Sequence, residues 1–99
     1  MITKYTFTKT PSGGNASWNT DDIRGISYML HIKPTTESTT YNFTITDDQS
    51  LVVYSKSGLR GTFRDMSQFA LKGIHTFAIA SASANEEFKI QIIYNEIPS

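Results

Sequence analysis

Residues 41–54 constrain the fold more than any other stretch. Tyr41-Asn42-Phe43-Thr44-Ile45-Thr46 alternates strictly between large apolar and polar side chains, the pattern of a strand with one buried and one wet face. Asp47-Asp48-Gln49-Ser50 follows with turn-forming residues, and Leu51-Val52-Val53-Tyr54 resumes β-rich sequence, so the segment reads as a hairpin. The same period of two recurs along most of the chain. Ile2–Thr8 sets Tyr5 and Phe7 on one face; Arg24–Lys33 sets Ile26, Tyr28, Leu30 and Ile32 against Ser27, Met29, His31 and Lys33. Ile74–Ala80 places His75, Phe77 and Ile79 together, and Phe88–Tyr94 places Phe88, Ile90, Ile92 and Tyr94 opposite Lys89, Gln91 and Ile93. The expected core is Phe7, Tyr28, Leu30, Phe43, Ile45, Phe77, Ile79, Phe88, Ile90 and Ile92.

Punctuation between these runs supports the division. Lys9–Ser17, with Pro11 and Gly13-Gly14, reads as a surface loop, and Trp18 after it as a core anchor. Asn19-Thr20-Asp21-Asp22 offers turn chemistry before the next strand, which Pro34 ends because it lacks the amide proton a ladder needs. Ser55–Gly61 reads as a loop or bulged edge, and Thr62–Lys72 as loop plus short strand. Ser81–Glu87 is a turn. The expected fold is all-β: a single antiparallel β-sandwich, jelly-roll-like, of about seven to eight short strands over residues 1–99. The loop around Pro11 leaves residues 1–10 as a strand able to swing.

Composition narrows function mainly by exclusion. Formal net charge is zero, which gives no reason to expect nucleic acid or an anionic membrane as partner, and gives little electrostatic protection against self-association. There is no cysteine, so neither a disulfide framework nor a thiolate metal site is available, in keeping with a reducing compartment. The N-terminal residues lack the apolar core of a signal peptide, and no apolar run approaches membrane-spanning length. Without an export signal, Asn15-Ala16-Ser17 and Asn42-Phe43-Thr44 read as chance matches to the glycosylation pattern.

No catalytic constellation is apparent. His31 and His75 are the only histidines, no cysteine exists for them to activate, and both read as edge or polar-face residues within strands. Asp21-Asp22, Asp47-Asp48 and Glu86-Glu87 could ligate calcium or cut a glycosidic bond if the fold brought them together, but aspartate beside a strand end ordinarily serves the turn itself. Lys56, Arg60 and Arg64 interleave with Phe63, yet Asp65 and the neutral total favour a solvated loop over nucleic-acid binding. Exposed Trp18 or Tyr28 could stack on sugar rings, so a glycan is a conceivable ligand. No cofactor is expected.

The runs Asp22-Ile23-Arg24-Gly25-Ile26-Ser27-Tyr28, His31-Ile32-Lys33-Pro34, Tyr41–Asp47, Val53-Tyr54 and Lys72-Gly73-Ile74-His75-Thr76 resemble segments of small tailed-phage virion proteins. The resemblance spans roughly residues 22–94 and consists of strand-and-turn patterns rather than a diagnostic motif. It implies a non-enzymatic structural protein of the virion, made in the host cytoplasm: a capsid decoration (cement) or tail accessory subunit whose partners are phage capsid or tail proteins and further copies of itself. The alternative is a carbohydrate-binding module for host-surface recognition. The expected interface residues are Tyr5 and Phe7, on a strand that could join a neighbour's sheet, with Met29, His31 and Ile93, which interrupt otherwise wet faces.

Overall fold

The computed structural model describes residues 1–97 and contains seven strands: β1 (Ile2–Lys9), β2 (Ala16–Pro34), β3 (Thr40–Thr46), β4 (Val52–Arg60), β5 (Phe63–Asp65), β6 (Ala70–Ala80) and β7 (Phe88–Glu96). All pairings are antiparallel, in the order β1-β7-β2-β6-β3-β4, with the short β5 also on β2. The expected all-β sandwich is what forms, built in an economical way. The 19-residue β2 belongs to both layers. Its first half, from Ala16 to Ile26, pairs with β6; its second half, from Gly25 to Pro34, pairs with β7. The sheet therefore curls about β2 until its ends face one another.

Gly25 sits at the crossover, opposite Leu71 of β6 and Glu96 of β7 at once. Its φ is +156°, and a Cβ there would stand 2.1 Å from the carbonyl oxygen of Asn95. Only glycine lets the two backbones approach this closely.

The core lies between the two halves. Phe43, Ile45, Phe77, Ile79, Leu30, Ile32, Phe88, Ile90 and Ile92 are fully buried, as the alternation predicts. Aromatic rings bridge the layers. Phe7 of β1 lies 5.2 Å from Trp18 and 5.4 Å from Phe77, and Tyr41 of β3 meets Phe88 of β7 edge-on at 5.0 Å. Such tilted and edge-on contacts suit the ring quadrupoles and add to the area buried.

Three expectations are corrected. Asn19–Asp22 is no turn: it is a bulge inside β2, where Thr20 and Asp21 together oppose His75. Tyr28 does not join the core but is 51% exposed. The cause is a second bulge, between Ser27 and Met29, in which Tyr28 is the extra residue. A one-residue insertion reverses the phase of a strand. Before it Ile23 and Ser27 face inward and Ile26 outward; after it Leu30 and Ile32 face inward. Buried Ser27 is satisfied by donating from Oγ to Ser67 O (2.9 Å) and accepting from Phe69 N–H (2.8 Å), which pins the β5–β6 connection.

His75 is the third correction: it is 0% exposed, not a polar-face residue. The first bulge makes room for it. The Lys72 N–H donates to Nε2 (3.2 Å), so the proton resides on Nδ1, which donates to Gly73 O (2.9 Å). Its own N–H donates to Thr20 Oγ1 at 3.0 Å, and that hydroxyl donates to Asp21 O. Burial lowers the imidazole pKa, outweighing Gly73 O and the acidic residues nearby. Its ring is a neutral clamp on the bulge.

Candidate functional site

The most distinctive surface is the outer face of the layer β1-β7-β2-β5. Strand register assembles it row by row. Ile2, Asn95 and Ile26 form one row; Lys4, Ile93 and Met29 the next; then Thr6, Gln91, His31 and Arg64; and finally Thr8, Lys89 and Lys33. Three of the five residues singled out from sequence therefore meet. Met29 and Ile93 are direct cross-strand partners, and His31 lies one row away beside Gln91. With Ile2 and Ile26 exposed on the adjoining row and Tyr28 projecting at the bulge, half of this face is apolar. A groove of about 270 Å³ between Ile26, Ala70, Leu71 and Ile97 continues it past the edge of the layer.

Tyr5 and Phe7 do not belong to this face. They turn inward, half-buried, with their rings 4.4 Å apart, and Tyr5 Oη accepts the Asp21 N–H at 3.0 Å. Their strand pairs with β7 along its entire length, from Ile2 opposite Asn95 to Lys9 opposite Phe88. Among the described residues its other edge carries no partner strand.

The remaining half of the face is cationic. Lys33 and Lys89 stand directly opposite one another, an arrangement that like charges make unfavourable in a sheet. His31 and Arg64 lie beside them, and the Arg64 Nε–H donates to His31 Nε2 at 3.4 Å. Burial, then Arg64 and Lys33, lower the His31 pKa, which favours the neutral ring that accepts this bond. A depression of about 160 Å³ opens between Thr6, His31, Lys33, Lys89 and Gln91.

No protein-family model matches the sequence, and comparison with curated proteins returns no match. Among solved structures, the chain is similar to parts of two described as the structure of infectious bursal disease virus, Gt strain and Gx strain. The TM-scores are 0.42 and 0.40 and the identity 10% in both, over 95% and 97% of this chain. The chain spans about a third (32%) of the length of either.

Other sequence candidates are dispersed. Among the described residues, no three His, Asp or Glu side chains converge as a metal site would require. Asp47 Oδ1 instead accepts the N–H groups of Gln49 and Leu51, both at 2.9 Å, so it organises its own turn. Glu86 accepts from Thr36 N–H, and Asp22 pairs with Arg24 at 3.2 Å. Trp18 is buried, which leaves Tyr28 as the exposed ring of the two considered for stacking on sugars. Arg64 joins the face just described, whereas Lys56 and Arg60 lie on β4. Sequence reasoning missed Lys33 and Lys89 as a pair. Each occupies an outward position on its strand, but only the β2–β7 register makes them neighbours.

Proposed function

We propose that this chain is a non-enzymatic structural subunit of a virion, a capsid decoration or tail accessory protein that acts through protein–protein contacts. The observation that supports this best is the grouping of Ile2, Ile26, Tyr28, Met29 and Ile93 on one outer sheet face. Apolar side chains scattered over a surface are ordinary; a contiguous set flanked by charges marks a contact surface. The resemblance of residues 22–94 to small tailed-phage proteins supplies the setting. In this reading a rigid sandwich is added in many copies and stabilises its neighbours by the area it covers.

The test is a micrograph of the native particle in which this subunit is located, together with light scattering of the isolated protein. Met29→Glu combined with Ile93→Lys should leave the melting temperature close to the parent's and abolish attachment to the particle. A particle that lacks the subunit, or one that binds the double variant as well as the parent, refutes the proposal. Binding on a glycan array that Tyr28→Ala removes would favour the carbohydrate-binding alternative.

A further inference from the structure

The charges of this neutral chain are unevenly placed. Four of its nine Lys and Arg residues, Lys4, Lys33, Arg64 and Lys89, lie on the outer face described above, interleaved with the apolar pair Met29 and Ile93. Among nearby carboxylates, Glu87 sits at the rim beside the two lysines, while Asp65 is held by Tyr54 and Ser67.

The opposite sign is concentrated around the β3–β4 hairpin. Asp47 and Asp48 form its tip, and the Asp48 carboxylate lies against Gly73. Asp22 is opposite Ile74, so it also flanks this point, although Arg24 pairs with it and the exposed Lys72, opposite Arg24, stands on the same face. Beside these carboxylates, Leu51, Val52 and Ile74 are exposed by 64%, 62% and 50%. Register sets Val52, Thr46 and Thr76 in one row on the outer face of the other layer, with Ile74 two residues further along β6.

One surface is thus apolar and basic, the other apolar and acidic at the hairpin tip, and they belong to different layers. We infer that the β1-β7-β2-β5 face receives the acidic β3–β4 hairpin of a second copy of this chain. This deepens the proposed function by naming the partner of the same face, and it depends on that reading. The two patches differ, so the contact is heterologous: it propagates head to tail into a ring or an open row of subunits. Opposed Lys33 and Lys89, which repel within one molecule, gain a counter-charge when Asp48 and its neighbours arrive. Apolar neighbours on both patches supply the area that charge alone does not.

Sedimentation of the full chain over a concentration series tests this. Association of the parent should weaken by roughly tenfold or more between about 0.1 M and 1 M NaCl, as the screening length falls from about 10 Å to 3 Å. Lys33→Glu with Lys89→Glu should be monomeric alone, as should Asp22→Asn with Asp48→Lys. Mixed in equal amounts, the two variants restore association, through the swapped patches and through the unaltered face of one with the unaltered hairpin of the other. Thermal melting of each variant near the parent's value excludes misfolding as the cause. A salt-insensitive parent, a parent that stays monomeric, or a charge-swapped variant that associates as the parent does overturns the head-to-tail contact. Because the particle micrograph decides separately whether the chain is a virion component, failure here with the subunit present on the particle rejects only this contact.

Discussion

Replacing Gly25 by alanine tests the claim that one residue hinges the two layers together. The added Cβ would stand 2.1 Å from Asn95 O and 2.9 Å from Asn95 C, both backbone atoms that no side-chain rotation can clear. Strands β2 and β7 would have to separate by roughly 1 Å at this point, beyond what close-packed contacts tolerate. Forcing alanine towards a φ of +156° costs on the order of 1 to 3 kcal/mol. Loss of one or two ladder hydrogen bonds beside Asn95 and Glu96 adds about 1 kcal/mol each. The total is about 2 to 5 kcal/mol, a large share of the roughly 5 to 15 kcal/mol that holds a small domain together.

Trp18, the sole tryptophan, is buried against Phe7 and Phe77, so its fluorescence reports unfolding. In urea the midpoint should fall by about 1 M or more with little change in slope. On heating, Tm should drop by at least about 8 °C. Gly13→Ala is the control: its φ is also positive, at +62°, but a Cβ there meets nothing within 4 Å. It should cost only about 1 to 2 kcal/mol. Equal losses for the two substitutions would refute the close-approach argument and leave dihedral strain as the explanation.

Two aromatics in the predicted core should behave oppositely. Phe43→Ala, at a fully buried site, should cost about 3 to 5 kcal/mol, whereas Tyr28→Ala should stay within about 0.5 kcal/mol in denaturant titrations; comparable losses would show that the Ser27–Met29 bulge is misplaced. The pH dependence follows from His75, whose pKa is depressed below 6.5 in the fold. Above that value the ring is neutral in both states; as pH falls through it the unfolded chain takes up the proton first, so stability declines towards acid with a slope of up to about 1.4 kcal/mol per pH unit. Stability curves of the parent and His75→Gln should therefore stay a constant distance apart above about pH 6.5 and draw together below it; curves that remain parallel below that pH would show that the ring is not held neutral.

Where a strand is regular, its residues announce it. Phe88, Ile90, Ile92 and Tyr94 of β7 and Tyr41, Phe43 and Ile45 of β3 are all buried at the expected parity. β2 is where reading by period breaks down, because two bulges interrupt it. Asn19–Asp22 has the composition of a turn and adopts instead an insertion that the His75 ring and Thr20 hydroxyl stabilise from across the core. Nothing local to Tyr28 distinguishes an extra residue from a paired one; the shift exists only relative to β7, some sixty residues away. His75 had the parity of a core residue and the chemistry of a surface one. Parity prevailed because two backbone groups from Lys72 and Gly73 occupy both ring nitrogens. Met29 and Ile93 were legible as apolar residues on a wet face, but their adjacency depends on long-range pairing that alternation does not encode.

The pairing of β1 with β7 has a consequence for how the molecule is made. Among the described residues β1 pairs only with β7, which is made roughly eighty residues later, and β2 must wait for both β6 and β7. Among the described strands only the β3–β4 hairpin joins neighbours in sequence with a short turn. Topologies dominated by such distant partners fold slowly, since the loops between them must be closed before the contacts that reward closure exist. During synthesis β1 and the first half of β2 therefore stand unpaired, with Phe7, Trp18 and Ile23 open to any other unfinished chain on the same message. Until those later strands arrive, core residues that the finished protein hides are open to aggregation.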